Sequence, residues 1–320
     1  MRKLLLLCVI LTLASGCAFI SVNLQPETQP LEEKVLEGEG GDKVLLIGIE
    51  GTISESKPKP RPFSFSESTG MIPLLKEELK KAQEDDSVKA VVIKVDSPGG
   101  SVTASDIIYH ELVSFKNRKK IPVVVCMMDV AASGGYYVSC AADRIIAHPT
   151  TITGSIGVLA LKVSAAGLLD IIGVKNETII SGDKKDMWSP LRPLTPEERK
   201  IFQGMIDDLD KRFLEVVTAA RHPSDAQIKT FSDGRILSAR EAQDLGLVDR
   251  LGYISDAVEE AKALAKIKQA KLVTYARPRQ YRNNVYSVYG PPNEPSFLGL
   301  DPGWLSEVSP GVNFLYMWAP

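Results

Sequence analysis

The sequence predicts an α/β fold assembled from strand-then-helix units, and three observations predict it. Short runs of β-branched and other apolar residues recur at 43–49, 90–95 and 123–128, the composition of buried strands. Between them lie segments whose apolar residues fall at helical spacing, with lysine and glutamate interleaved. Two of the runs end in a glycine turn that opens a helix, at Asp96-Ser97-Pro98-Gly99-Gly100 and at Ala131-Ala132-Ser133-Gly134-Gly135. Repetition of that unit argues for an α/β domain.

In chain order, Arg2 and Lys3 precede an apolar run from Leu4 to Leu13 and small residues before Cys17. A basic start, about ten apolar residues and small residues at a cut site describe an export signal, whereas a bilayer-spanning helix needs about twenty. Small residues directly ahead of a cysteine resemble a bacterial lipobox, so residues 1–16 read as a lipoprotein signal peptide and Cys17 as the lipidated new N-terminus. Ordinary signal-peptidase cleavage nearby is the alternative. Residues 17–42, mostly Pro, Glu, Gln and Gly without periodicity, read as a flexible tether.

The folded domain is expected over 43–275. Its first strand, 43–49, is followed by a Ser/Pro/Lys loop to Arg61 and a helix over 72–84, where Leu75, Leu79 and Ala82 fall at helical spacing. The strand 90–95 runs through the first glycine turn into a helix over 101–115. The strand 123–128 leads to a short helix over 134–142, which places Ser133 where strand turns into helix. Strands at 159–163 and 177–180 are expected around an Ala/Leu-rich helix. Thr195-Pro196-Glu197-Glu198 opens the longest helix, with Thr195 as N-cap, Pro196 in the first turn and Glu198 placed for a capping box. Its stripe of Ile201, Met205, Leu209, Phe213 and Val217 faces the core or another subunit. Ser238-Ala239-Arg240-Glu241 is a second capping box, its helix ended by Gly246, and a helix over 255–265 leads to a last strand at 271–275.

Composition excludes some functions. A net charge of −2 on 320 residues leaves no basic footprint for nucleic acid. Cys126 and Cys140 lack C-x-x-C spacing and read as small buried hydrophobes. His110, His148 and His222 are scattered, so no metal site is suggested.

On position alone Ser133 reads as an N-cap, although the first N–H groups of a helix point at any oxyanion generated there. The G-x-S-x-G elbow is absent, since Ala131 and Gly135 flank the serine. A wider set of motifs is more specific: D-S-P-G-G at 96–100, A-S-G-G-Y-Y at 132–137, A-D-R-I-I-A at 142–147, T-G-S-I-G-V at 153–158, S-G-D-K-K-D at 181–186 and G-R-I-L-S-A-R-E-A-Q-D-L-G-L-V-D at 234–249. With them, residues 43–267 resemble the short form of the signal peptide peptidase A family, serine proteases of the crotonase/Clp protease-like fold built from repeated ββα units.

The resemblance implies a Ser/Lys dyad and an acyl-enzyme. Ser133 would be the nucleophile, Lys185, the lysine of G-x-x-K, the general base, and Ser155 the residue that orients the lysine. Gly99 and Gly134 would form the oxyanion hole. Lys184 then reads as a solvated charge. A lysine base needs a water-poor pocket when substrate is bound, because burial disfavours the ammonium form. A triad through His148 is the rival mechanism; a non-catalytic lipoprotein scaffold and a crotonase-type acyl-CoA enzyme are the rival functions. The resemblance also implies hydrophobic or unfolded peptide substrates, signal-peptide remnants among them, no cofactor, and a homo-oligomeric ring with inward-facing sites. The catalytic domain would be exported and held at the membrane of the cell envelope.

Residues 276–320 hold eight aromatic residues and seven prolines. Proline at that density blocks helix and central strand, while disordered linkers are poor in aromatics. The segment is therefore expected to be an extended arm docked on the body or a neighbouring subunit, crossing the substrate groove and regulating access. An aromatic tail lying on the membrane interface is the alternative.

Overall fold

The computed structural model describes residues 29–55, 69–278, 280–287 and 314–318. The export signal and Cys17 lie outside the described residues. Three strands form the centre of one sheet, β2 (Lys43–Glu50), β3 (Val88–Ser97) and β5 (Val123–Ala132), parallel to one another. The helices α1 (Met71–Glu84) and α2 (Val102–Lys119) connect them. With β1 (Glu32–Glu37), β6 (Arg144–Ala147), β10 (Arg250–Leu251) and β11 (Lys271–Ala276), the order across the sheet is β1-β11-β2-β3-β5-β6-β10.

These runs lack polar alternation because both faces are covered. Leu45, Ile47, Val91, Ile93, Val123 and Val125 share one core with Leu75 and Leu79 of α1 and with Ile108, Leu112 and Phe115 of α2. The alternate residues Val44, Leu46, Ala90, Val92, Val124 and Cys126 pack on Ile254, Ala257 and Ala261 of the helix at Ile254–Ala265. Side chains of period 2 thus feed two cores from the same strands.

Beyond the short helix α3 (Gly134–Ser139), the strand β7 (Ile152–Gly154) pairs with the end of β5, and β9 (Ile236–Ser238) pairs with β7. A separate small sheet joins β4 (Gly99–Ser101), β12 (Phe314–Met317) and β8 (Leu159–Ala160). The remaining helices are α4 (Ala166–Ile171), α5 (Pro196–Arg221), α6 (Asp225–Phe231), α7 (Ala239–Asp244) and α8 (Ile254–Ala265). The capping boxes at Thr195–Glu198 and Ser238–Glu241 are formed, and a third at Ser224–Gln227 opens α6, which sequence reading missed.

The structure corrects two expectations and refines a third. Within the tether assigned to 17–42, Glu32–Glu37 is an edge strand antiparallel to β11, anchored by buried Leu31 and by Lys43 paired with Glu33 at 2.8 Å. Its mostly charged residues give no apolar periodicity, because an edge strand buries little. Residues 177–180 form no strand, and Ile179 is 98% exposed: apolar β-branched residues make a strand only where a neighbour offers a ladder. The stripe of α5 is buried only toward its end, at Phe213 and Val217, while Met205 is 41% exposed.

The start of the arm is strapped to the body by buried ions. Lys94 pairs with Glu50 at 2.7 Å and donates to the carbonyl oxygens of Val285 and Ser287, while Arg282 pairs with Glu78 at 3.4 Å and donates to the Tyr275 carbonyl. Burial pushes the Glu78 carboxyl up to about 7, against the pull of Arg282.

Candidate active site

Two strand ends build the site. β5 carries its chain through Ala132 into Ser133, whose backbone takes φ 51° and ψ −114°. A non-glycine residue held at positive φ is strained, and such strain gathers at functional sites. The Ser133 N–H donates to the Gly154 carbonyl at 2.8 Å, and the Ser133 carbonyl accepts from Tyr137 at 2.8 Å. The hydroxyl itself makes no cap bond to α3. The N-cap alternative therefore fails on geometry, and the hydroxyl is left for other chemistry although the residue is only 1% exposed.

β3 ends beside it. The Asp96 carboxylate accepts from the Val130 N–H at 3.1 Å, tying the two strand ends together; burial raises this carboxyl. The chain then turns through Gly99, at φ 96°. A Cβ there would lie 2.0 Å from the Tyr316 carbonyl oxygen and 2.7 Å from the Gly134 nitrogen, and a Cβ on Gly134 would lie 3.0 Å from that same oxygen. The two glycine turns thus stand back to back, and one peptide carbonyl lies against both. Only a residue without a side chain permits that approach.

Ser155 follows the Gly154 that bonds Ser133, so the second serine reaches the same place through the pairing of β7 with β5. It holds φ 50°, is 9% exposed, and donates its N–H to the Arg235 carbonyl at 2.7 Å.

Lys185 lies on a separate turn. It is exposed, and among the described hydrogen bonds and ion pairs none joins it to Ser133 or Ser155. Among the described residues no water-poor pocket closes around it, because the stretch 161–194 packs little of itself on the core. α4 has no buried residue, and Val163, Leu168, Ile171, Ile172 and Val174 are exposed. The lysine paired with charge is Lys184, at 2.6 Å from Glu197 and 3.4 Å from Asp183.

What holds the lysine turn is polar. Arg192 donates to Asp186 at 2.8 and 2.6 Å and to Glu198 at 2.9 and 2.6 Å. Glu198 also accepts from the Thr195 N–H as the capping residue of α5, and Arg192 followed by Thr195 holds its carboxyl down to about 2. Trp188, at φ 69°, packs its ring 4.3 Å from that of Phe202. Sequence reading missed Arg192 and Trp188; an arginine six residues from acids on both sides was the available signal.

His148 stands at the end of β6. Its ring bonds the Thr150 hydroxyl at 2.8 Å and meets Tyr253 edge-on at 4.9 Å, with no described contact to Ser133. Burial pushes the Cys126 and Cys140 thiols up to about 12, which suits packing residues. Among the described residues no group of His, Cys, Asp and Glu could hold a metal, and no helix is long and apolar enough to cross a membrane.

One part of the arm lies in the site. β12 runs antiparallel between β4 and β8, pairing Leu315 with Ser101, Tyr316 with Gly100 and Met317 with Gly99 on one side, and Phe314 with Ala160 and Leu315 with Leu159 on the other. The Trp318 N–H donates to the Pro98 carbonyl at 2.9 Å. An extended peptide inserted between two short strands is β-augmentation, with the backbone supplying the hold.

Comparison with known proteins agrees with this architecture. The model of peptidase family S49 matches residues 115–268, and that of Clp protease matches residues 69–152. An Enterococcus faecium protein assigned as a signal peptide peptidase SppA is 36% identical over 76% of this chain and 70% of its own length. The chloroplastic serine protease SPPA of Arabidopsis thaliana is 34% identical over 82% of this chain and 38% of its own. Protease 4 of Salmonella typhi is 40% identical over 73% of this chain and 37% of its own, so the chain spans well under half of these last two relatives. The fold is of the crotonase/Clp protease-like α/β class.

Proposed function

The chain belongs to peptidase family S49 and is a serine peptidase, and we propose that it cuts hydrophobic or unfolded peptides, signal-peptide remnants among them, through Ser133 and Lys185. The observation that carries this reading is a peptide segment lying beside Ser133 with one carbonyl oxygen against both Gly99 and Gly134. Lys185 takes the Ser133 proton as Oγ attacks the substrate carbonyl carbon, and the N–H groups of Gly99 and Gly134 hold the oxyanion. The proton passes to the leaving amine as the C–N bond breaks. Lys185 then activates water to release the acyl group, with Ser155 aiming the lysine.

This mechanism needs the lysine segment covered. The exposed apolar side chains of 163–179 support coverage by a second copy, in a homo-oligomeric ring whose sites face inward. The N-terminal motif supports export and a lipid tether at Cys17, and the place of β12 supports an arm that limits access to the groove.

Labelling with a fluorophosphonate tests the core of the reading. The unaltered chain should label, and Ser133→Ala and Lys185→Ala should not. Equal labelling of Ser133→Ala would remove the nucleophile, and no labelling of any form would favour a non-catalytic scaffold.

A further inference from the structure

The segment before β1 and the segment after β11 meet at one end of the main sheet. β1 runs antiparallel to β11, with Glu32 beside Ala276, and β11 is parallel to β2 and β3, so the chain enters the body where those three strands finish. Arg277, the residue after β11, holds the entry: its guanidinium donates to the Gln29 carbonyl and pairs with Glu77 of α1 at 2.7 Å. Lys81 of α1 donates to the Leu31 carbonyl at 2.6 Å, and Lys34 of β1 donates to the Gln280 carbonyl at 2.7 Å. The strap at 280–287 therefore lies against the point where the N-terminal segment joins the body.

The inward side of the strap is fixed. Arg282, Val285 and Ser287 are buried, Val285 in the core that also takes Leu36 and α8. Lys94 bonds the strap's own carbonyl oxygens at Val285 and Ser287. A turn closes the end of the segment, where the Ser287 hydroxyl oxygen accepts from the N–H groups of Asn283 and Asn284 at 3.1 and 3.3 Å and Asn284 Oδ1 accepts from the Tyr286 N–H at 2.9 Å. The residues between these anchors face outward, and the two large ones are Tyr281 and Tyr286, 69% and 62% exposed. Rings displayed on a backbone locked by buried cations contribute nothing to either core. A ring with an apolar body and a polar tip suits the boundary between water and an apolar phase.

We propose that Tyr281 and Tyr286 form a lipid-contact surface that seats in the interface of the bilayer to which the chain is tethered. The proposal rests on the reading of Cys17 as the lipid anchor. The residues between Cys17 and Gln29 reach at most about 40 Å even fully extended, so an anchored chain has its entry end held over the lipid, and the two tyrosines stand beside that entry. Stable anchoring takes a second signal besides an acyl chain, and inserted aromatic rings supply one. β1, which Lys34 joins to the strap, carries Glu32, Glu33 and Glu37 against that one lysine, so headgroup charge is not what the surface reads. A zwitterionic bilayer is therefore the fitting partner.

The test uses the full lipidated chain in phosphatidylcholine vesicles, with Tyr281→Trp, Tyr286→Trp and Asn117→Trp made singly. Asn117 is exposed near the end of α2, at the opposite end of the sheet, where β5 begins. Flotation of the vesicles reports the tether. Phosphatidylcholine brominated near the headgroup end of its chains reports contact, by quenching the emission that each variant adds to that of the unaltered chain. All forms should float, the emission added by Tyr281→Trp and by Tyr286→Trp should be lost on brominated lipid, and that added by Asn117→Trp should persist. Tyr281→Ser combined with Tyr286→Ser should leave the particle unchanged in sedimentation in mild detergent. A floating chain in which quenching fails at either tyrosine position, or is equal at Asn117, overturns the lipid contact and leaves the tether standing. A smaller particle in the double serine variant assigns the tyrosines to a contact between copies and overturns it as well. A chain that does not float takes down the tether and the contact together.

Discussion

The chain builds the surroundings of Ser133 and of Lys185 in opposite ways. Around Ser133 it closes on itself: β5, β7, β3 and α3 meet there, and Ser133 and Ser155 are 1% and 9% exposed. Around Lys185 it stays open. Ile171 is 84% exposed and Ile179 98%, and the lysine turn is held by Arg192 and its two carboxylates rather than by a core. On the proposed ring these exposed apolar side chains would be covered by a second copy. On the proposed mechanism, the fold of one chain suffices to form the nucleophile and its oxyanion donors, and assembly is needed to finish the base.

The sharpest way to break that comparison is to remove each half separately. Ser133→Ala and Lys185→Ala should each lower kcat by about 10⁴-fold or more, whereas Lys184→Ala, which loses an exposed ion pair, should stay within about 3-fold of the unaltered chain. Peptidase kinetics with folding checked by circular dichroism decide it. Full turnover by Lys185→Ala would leave the open half without a catalytic purpose.

Assembly comes next. Ile171→Asp together with Ile172→Asp places charge on the exposed apolar face, and the expected outcome is a smaller particle in sedimentation with activity reduced by roughly 10- to 100-fold. The Ser133 half should keep its fold, since neither isoleucine touches it. A particle of unchanged size and rate would show that this face is not the covered one.

A smaller effect is expected at the clamp. Arg192→Ala frees the turn that carries Lys185 but touches nothing near Ser133, so kcat should fall by about 10-fold with KM little changed, and added guanidinium should restore part of it. Loss of KM alone would assign the arginine to substrate binding.

How far each half could be read from sequence follows the same division. The two glycine turns, the three central strands and the caps at Thr195 and Ser238 are local signals, each contained in a few consecutive residues. The position of Ser155 beside Ser133 is not local: spacing alone makes it a turn residue, and it arrives through β7 pairing with β5. The charged edge strand at Glu32–Glu37 left no periodicity to read, and the apolar run at 177–180 left one that no neighbour completes. The aromatic and proline content of the arm predicts an extended docked segment. That Phe314–Met317 lies between β4 and β8 depends on partners more than 150 residues away, which composition does not encode.

The smallest effect concerns pH and isolates the open half from the closed one. Arg192 and the Thr195 N–H hold the Glu198 carboxyl down to about 2, below its ordinary value of 4.5. A carboxyl depressed in the folded state binds fewer protons there than in the unfolded chain, so its contribution to stability is present above the ordinary value and is lost as pH falls through about 2. Glu198→Gln should therefore weaken the lysine turn at neutral pH, and the difference from the unaltered chain should shrink steadily below pH 4.5. Trp188, packed on Phe202 beside the clamp, gives a local fluorescence signal, and far-ultraviolet circular dichroism follows the body. If the halves are as separate as their packing indicates, the fluorescence transition moves with pH in the unaltered chain and not in the variant, while the body's transition is the same in both. A common shift of both would mean that the clamp supports the whole domain, and the division between a closed nucleophile half and an open base half would have to be given up.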